Sequence, residues 1–585
     1  MHGDVIGIMK DHPASLNRYV YYPDRLTRMP GPYPGATIFG NLIRNTYNFF
    51  TQPIFKGAFS AILSESTVAV RPSNVDDESV GDFLRRRFGA TIADNMASAL
   101  FHGIYAGDLY NLSARTLLPK IWYLETRDPD GSGINTEMAE LLFRGQSLLP
   151  YHNIRFHNMT VKVQDTGGKQ DEAALGHLID GLKRCSVYTF GRGLASLTRR
   201  LEDSLRANGN ITIKTEANVN SVVWNEESKR LAVSAELDES PTDYDYAVSS
   251  LSPAQTKKFF EKSTEARQQS APVTVAQACD KASKSVNVMV VNLYYSNPEL
   301  IPPSIAGFGY LIPRSISVEQ NPERALGVIF GSESSGLRGE QAFTTLPKPS
   351  AVKLEQLKKY QQTLRQMPLP NDMTGPAFKR FGAERDPKMQ ELVRQMELTR
   401  ERLERAQKDT EQAIEDYGQV SEETGQKELR IRMGQDTAPG TKLTIMMGGH
   451  WWDGWAEDDF PDEELAIAMA KNVLARHLGI TEQPTVAKAR LNRDAIPQYH
   501  VGYRGTMAKI HEGLKTEFRG RLKVAGPWWQ GGVGVNDCVR KARETAFAIR
   551  EGWDEKTGLE DYAEEEKWCL MDKRTGKVMI DPMSE

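Results

Sequence analysis

The chain has almost no cysteine to work with. Only Cys185, Cys279, Cys538 and Cys569 occur, far apart and with no Cys-x-x-Cys spacing, so neither a zinc site nor a disulfide framework is expected and the thiols read as reduced. No stretch of eighteen apolar residues is present, which excludes a predicted membrane span and leaves peripheral contact with a bilayer. Charge of one sign is also missing. Lys and Arg number 73 against 77 Asp and Glu, a net charge of −4, so there is no electrostatic footprint for nucleic acid. Met1 is followed by neither a signal peptide nor an Arg-rich, acid-poor presequence. What remains is 585 residues with 39% hydrophobic and 26% charged side chains, the composition of a globular protein with room for two or three domains.

The most informative segment lies near the C-terminus. Leu522–Ala525 reads as a short strand, Trp529-Gln-Gly-Gly-Val-Gly-Val as a glycine loop, and Asn536 or Asp537 as the cap of a helix that follows. That order builds an anion cradle, because Gly531, Gly532 and Gly534 permit close backbone approach and the helix start presents free N–H groups. Val539, Ala542, Ala546 and Ile549 fall at helical spacing, so that stripe is expected to pack on a sheet while Arg540, Lys541 and Arg543 face solvent. Taken alone, the glycines also suit a plain turn before a surface helix.

Elsewhere strands and helices alternate as in a mixed α/β protein. Ile211–Lys214, Val219–Trp224, Leu231–Ser234 and Tyr244–Ser249 read as a cluster of short strands; Val286–Leu293 and Ala325–Phe330 read as central ones. Gly191-Arg-Gly193-Leu-Ala-Ser196 follows the strand-like Ser186–Phe190 and opens a helix from Leu194 to Leu205. It is not a dinucleotide fingerprint. No acidic residue about twenty positions on ends a second strand, since Glu216 sits in a loop. From Pro387 to Tyr417, Met389, Leu392, Met396, Leu403, Ala406 and Ala413 approach a seven-residue repeat among charged residues, which predicts a long surface helix or hairpin; Thr399 and Thr410 on the seam weaken a coiled coil.

Several segments, in one chain order, carry a resemblance. Pro13–Tyr21 with its Asn17-Arg18 pair, Gly307-Phe-Gly-Tyr-Leu-Ile-Pro313, Leu443–Trp451 ending in Gly-Gly-His-Trp, Ile496-Pro-Gln-Tyr499 with Val501-Gly502, and Gly532-Val-Gly-Val-Asn-Asp-Cys538 resemble the protoporphyrinogen oxidase family of the flavin amine oxidase superfamily. The resemblance covers most of the chain apart from about 335–438 and the last thirty or so residues. It implies an incomplete FAD/NAD(P)-binding Rossmann-like domain, a substrate-binding domain of amine-oxidase type and a helical membrane-associating subdomain. The implied layout is residues 1–65 for the start of the substrate domain, 66–190 for the membrane-associating helices and 191–255 for part of the FAD domain. Substrate-domain strands follow at 256–334, a charged helical insertion at 335–438, more substrate domain at 439–500, the C-terminal FAD segment at 501–555 and a tail at 556–585. The family's opening strand, Gly-x-Gly-x-x-Gly turn and helix have no counterpart here, so the pyrophosphate-gripping half of the site is expected to lie outside this chain.

The resemblance also implies roles. FAD would be met by Val219 at its adenine, by Trp451, and by Val533, Gly534, Val535 and Asn536 at the ring's N1/O2 edge. Arg18 would pair with a propionate of a porphyrinogen, with Phe308 and Leu311 holding the macrocycle in an apolar slot. No catalytic acid or base is assigned; hydride would pass to the flavin and dioxygen would restore it, releasing hydrogen peroxide. A peripheral place on the mitochondrial inner membrane is implied, with the helical region 79–125 as the contact and Arg85, Arg86 and Arg87 suited to anionic headgroups; a homodimer is compatible. Without the resemblance, Arg18 is a surface arginine, Phe308 and Leu311 are core residues, Trp451 is a core anchor and Val219 a buried strand residue. Two other readings stay open: a flavin-free, partner-binding remnant, and another oxidase of the superfamily.

Overall fold

The computed structural model describes residues 5–33, 36–128, 133–152, 182–191, 193–236, 238–266, 273–335 and 439–584, with short pieces at 154, 343–345, 358, 362 and 430–432. The helix predicted for Pro387–Tyr417 lies outside them. The chain divides into two compact units. The first comprises Met1–Gly7, Gly168–Leu194 and Leu337–Gln435, and the second Ile8–Gly167, Ala195–Gly336 and Asp436–Glu585. A four-stranded sheet with the order Phe343–Thr345, Arg430–Arg432, Val5–Met9, Cys185–Phe190 marks the first.

The second unit is built on a seven-stranded sheet. Its strands are β1 (Tyr19–Tyr21), β2 (Leu26–Arg28), β3 (Ser285–Tyr295), β4 (Gly309–Leu311), β5 (Ala325–Phe330), β6 (Thr441–Gly448) and β7 (Val486–Pro497), in the spatial order β7-β3-β6-β5-β4-β1-β2. Only β4 and β1 pair in parallel. Along β3 the side chains of Met289, Val291, Leu293 and Tyr295 enter one core and those of Val286 and Val288 another, the two-residue alternation that a sheet buried on both faces requires. Both runs expected to be central, in β3 and β5, are interior strands.

Seven helices matter for the site: α1 (Ile38–Thr51), α2 (Ala58–Ser64), α3 (Val80–Thr91), α4 (Ser98–Tyr105), α5 (Glu463–Leu478), α6 (Tyr503–Phe518) and α7 (Val535–Arg550). Helix α5 shows how locally specified such an element is. Asp462 caps it by accepting from the Leu465 N–H, Glu463 and Glu464 occupy the first turn, and Gly479 leaves it in the left-handed region at φ 69°. Its Ala466, Ala470, Val473 and Leu474 stripe packs on the β3 face.

The region holding α1–α4 contains a buried charge network. Arg86 pairs with Glu78 and Glu125, Arg71 with Glu125 at 2.7 Å, and Arg87 with Glu65, both of the latter being fully buried. Burial opposes ionisation of Glu125, yet Arg86 and Arg71 hold its carboxyl below the ordinary value. Arg86 and Arg87 are thus spent on carboxylates, which corrects their expected role toward lipid headgroups; of the three, Arg85 alone is exposed. The solvent-facing surface is apolar instead. Phe39, Leu42, Ile43, Tyr47 and Phe50 form one stripe of α1, each more than half exposed, and Phe59, Ile62 and Leu63 continue it on α2. The Phe50 and Phe59 rings meet edge-on at 5.2 Å.

Two further expectations differ from the structure. Ile211–Lys214 forms no strand; the small sheet here consists of Val219–Asn225, Arg230–Ala235 and Thr242–Tyr244, while Ala247–Ser249 pairs in parallel with Leu522–Val524. Helix α7 buries Lys541, Thr545 and Ala548 and leaves Val535 and Val539 exposed, the reverse of the expected stripe. The reason is electrostatic: the Lys541 ammonium reaches Asp561 and Glu544, both at 3.3 Å, and Thr545 donates to the Lys541 carbonyl, so the helix turns its ion-pairing face inward.

Helix α4 meets the sheet without a side chain between them. Its C-cap Ala106 is left-handed at φ 50°, and its carbonyl accepts from the His450 N–H at 2.8 Å. Gly449, at φ 62°, lies so close that an added Cβ would stand 2.2 Å from that carbonyl. Gly449→Ala is therefore expected to destabilise the protein by about 2 kcal/mol or more, from left-handed strain plus the clash, read as a lowered midpoint in thermal unfolding followed by circular dichroism.

Candidate functional site

The glycine loop hangs from three aromatic side chains. Tyr499, at the end of Ile-Pro-Gln-Tyr, donates its hydroxyl to the Pro527 carbonyl at 2.6 Å, and Tyr503, the first residue of α6, donates to the Trp528 carbonyl at 2.8 Å. Trp529, fully buried, donates its indole N–H to the Leu251 carbonyl at 3.0 Å. Burial drives both phenols upward from their ordinary pKa of 10, so they remain donors. These anchors deliver residues 530–534 to the start of α7. The N-cap is Gly534, with no side-chain cap, and Asn536 and Asp537 fall inside the first turn, which corrects the expectation that one of them caps the helix.

Asp537 changes what the loop can hold. A Cβ on Gly532 would stand 2.7 Å from Asp537 Oδ2, and one on Gly534 2.9 Å. The carboxylate folds back over the loop, and glycine is needed there to admit it. A negative group already lies against the helix start, so a phosphate would meet like charge at that place.

A cavity of about 930 Å³ opens beside the loop, within the usual range for small-molecule sites. Its walls are more charged than the apolar slot expected for a flavin ring. Lys541 and Asp561 face each other; burial opposes ionisation of both, but each holds the other charged. Arg504 donates to the Asp561 and Glu564 carbonyls at 2.8 and 2.6 Å. Burial lowers the His152 pKa. Gln530 lies between loop and helix, its Nε2 donating to the Gly532 carbonyl at 2.9 Å and to Cys538 Sγ at 3.3 Å. Its Oε1 is buried without a hydrogen-bond partner.

The residues singled out from the sequence are distributed unevenly. Asn536 lines the cavity; Val533 is partly buried against the core that holds Tyr499, Tyr503 and Trp529, and Gly534 and Val535 lie exposed at the helix start. Val219 stands at the end of its small sheet, 36% exposed, away from the cavity lining. Arg18 and Phe308 do meet, the guanidinium 4.8 Å from the ring centroid, and Leu311 packs so closely on α4 that a Cβ on Gly103 would stand 2.7 Å from it. The last turn of α4 therefore touches both Leu311 and the cavity, since Tyr105, two residues on, lines the latter. Gln530, Arg504 and Asp561 were missed. Only their adjacency to the glycine loop in space marks them, and the sequence carries no spacing that signals it.

Between these regions two imidazoles meet. His102 Nδ1 lies 2.7 Å from the Ile312 carbonyl and its Nε2 2.9 Å from His450 Nε2. A carbonyl can only accept, so His102 carries its proton on Nδ1 and the His450 N–H donates to the other nitrogen. Trp451 packs against His450 with ring centroids 4.2 Å apart and planes tilted by 36°, and Arg324 lies 5.0 Å from its ring. A second proton would put two N–H groups face to face. Burial lowers His102 to about 4 against the opposing hydrogen bond to the Ile312 carbonyl, with Arg314 adding to the fall, and burial with the His102 contact lowers His450 to about 3. Unfolded imidazoles take up protons near 6.5, so the pair's contribution is complete above that value and lost as pH falls toward 4. His450→Gln is expected to flatten this acid limb in urea-unfolding midpoints measured from about pH 7 down to about pH 4; an unchanged slope would speak against a neutral pair.

No protein-family model matches the chain. Curated relatives do. The protoporphyrinogen oxidase of Schizosaccharomyces pombe is 23% identical over 545 residues, 93% of this chain and 80% of its own length. That of Saccharomyces cerevisiae is 22% identical over 85% of this chain and 75% of its own, and the human one 21% over 94% and 82%. A solved structure from Exiguobacterium, provisionally named a protoporphyrinogen oxidase, superposes with a TM-score of 0.52 at 14% identity, covering 94% of this chain and 82% of that one, which places the mixed α/β fold. In sequence over most of its length, the chain is a relative of the protoporphyrinogen oxidases, an oxidoreductase family.

Proposed function

We propose that the chain oxidises protoporphyrinogen IX to protoporphyrin IX with FAD, and that dioxygen reoxidises the flavin to give hydrogen peroxide. The observation that carries this is the cavity at the uncapped start of α7, framed by the motif Gly532–Cys538. The residues present fit a flavin ring edge. The start of α7 has no side-chain cap, Asn536 and Tyr105 line the cavity beside it, and Gln530 keeps a buried carbonyl without a partner. A bound flavin would supply a two-electron acceptor, and three rounds remove the six electrons that separate porphyrinogen from porphyrin.

The chain's own residues then have defined tasks. Helix α7 and the loop orient the ring, and Tyr105 at the end of α4 closes the cavity wall. Arg18 gives a planar cation for one propionate, held above Phe308 and donating to the Ala14 carbonyl. Phe308 and Leu311 offer the apolar contact. Val219, Trp451, Val533, Gly534 and Val535 remain the further flavin contacts of this proposal. Purified protein should carry or take up FAD with a flavin absorbance, and a colourless protein that cannot be loaded would favour a flavin-free, partner-binding role instead. Arg18→Ala is expected to raise the KM for porphyrinogen about 10-fold or more, as loss of a charged hydrogen bond does, with FAD content unchanged.

A peripheral place on the mitochondrial inner membrane belongs to the same proposal. No helix among the described residues is long and apolar enough to cross a membrane. The support is the exposed apolar stripe of α1 and α2, flanked by the exposed Arg44 and Lys56. Phe39→Ser with Phe50→Ser should reduce co-sedimentation with anionic vesicles about 10-fold or more; Arg85→Ala, at the exposed arginine of the cluster, should leave it unchanged if the stripe, not the arginine cluster, makes the contact.

A further inference from the structure

We propose that the strand Val578–Ile580 is a docking edge for a second copy of this chain, the two strands pairing antiparallel about a two-fold axis. A small sheet in the second unit has the order Gln146–Pro150, β8 (Trp568–Asp572), β9 (Val578–Ile580), with both outer strands antiparallel to β8. Strand β8 is interior, with Trp568, Cys569 and Leu570 buried. Strand β9 is an edge. The Lys577 carbonyl accepts from the Asp572 N–H at 2.9 Å, and the Asp581 N–H donates to the Trp568 carbonyl at 2.8 Å. Antiparallel ladders alternate, so Met579 also turns its peptide groups toward β8 while those of Val578 and Ile580 point away from it. Such edges are usually blunted by a lysine, a proline or a bulge. None of these lies within β9, and Val578, Met579 and Ile580 are 41%, 59% and 41% exposed.

Two features select a copy of the same strand as the occupant. The first is the ladder. Gly576 spends its N–H on the Asp572 carbonyl at 2.8 Å and Pro582 has none to give, so the open stretch runs from Val578 to Ile580. Pairing centred on Met579 sets Val578 of one copy opposite Ile580 of the other, each donating to and accepting from its counterpart, with apolar side chains against apolar side chains. An interface of this kind is isologous and closes on two copies. The second feature is charge. The turn that leads into β9 carries the exposed Lys573, Arg574 and Lys577. Beyond the other end of β9, Asp581 and Glu137 share Arg127, and Asp128 follows that arginine in the chain. The two-fold axis lays the basic turn of each copy beside the acidic end of the other, whereas a parallel arrangement would set like charge on like.

Sedimentation velocity of the full chain from about 1 to about 100 µM covers the range of so small a contact. A monomer–dimer equilibrium is expected, weakened by added salt as the facing charges are screened. Ile580→Pro removes an outward N–H and leaves the bonds to β8 in place, and it should raise the dissociation constant about 10-fold or more. Lys577→Glu, a change at an exposed side chain, should also weaken the dimer and should reduce its salt dependence, and it keeps the test intact if circular dichroism shows Ile580→Pro to be misfolded. A chain that stays monomeric at about 100 µM overturns the proposal, as does growth beyond a dimer. A dimer that folded Ile580→Pro, or Lys577→Glu where the proline variant does not fold, leaves as tight as the wild type also overturns it. So does a dimer lost in Phe39→Ser with Phe50→Ser and kept in Ile580→Pro, which would put the contact on the apolar stripe of α1.

Discussion

A helix end, a strand end and a strand-to-helix corner come together here with backbone against backbone. Ala106 closes α4, Gly449 follows β6, and Gln498 follows β7; the Ala106 carbonyl accepts from His450 and the Gln498 side chain donates to the Tyr105 carbonyl at 2.9 Å. Gly107 completes the contact, since a Cβ there would stand 2.1 Å from Gln498 Oε1. At Gly449 a backbone carbonyl excludes a Cβ, and at Gly107 a Cβ would displace the Gln498 side chain. Because β7 continues through Gln498 and Tyr499 into α6, the junction also sets where Tyr499 and Tyr503 hang the glycine loop. The cavity at the start of α7 and the Arg18–Phe308 contact are both referred to this one meeting point through α4.

Charge is handled by burial in pairs. Glu65, Glu125 and their arginines stabilise the helical region from within, and removing one partner of such a pair leaves an uncompensated buried charge, a loss of several kcal/mol. The same rule places α7. Lys541 is buried because Asp561 and Glu544 wait for it, and the helix gives up the burial of Val535 and Val539 in consequence. What these pairs leave at the surface of α1 and α2 is hydrocarbon.

Much of the architecture was legible because its signals are local. The apolar runs of β3 and β5, the helix after the glycine loop and the motifs around Asn17-Arg18, Gly307-Phe-Gly and Ile-Pro-Gln-Tyr are written in short stretches. The misreadings share one cause. Ile211–Lys214 has strand-like residues but no partner strand, and the stripe from Val539 to Ile549 has helical spacing but no surface to receive it. Arg86 and Arg87 read as free cations because Glu65, Glu78 and Glu125 are distant in sequence or unmarked as partners. Periodicity states which residues share a face, and it cannot state what that face meets.

The division for the glycine loop is the same. Its residues by themselves determined a strand, a tight turn and a helix, because glycine conformational freedom and apolar spacing act over a few positions. Tertiary structure decided everything about its occupancy. Asp537 folds back over the loop, Tyr499, Tyr503 and Trp529 suspend it, Lys541 turns the helix, and Gln530 is left with one oxygen unmet. Hydrogen bonds and ion pairs between residues far apart in the chain are set by the path of the backbone, and that path is known only when the whole core has closed.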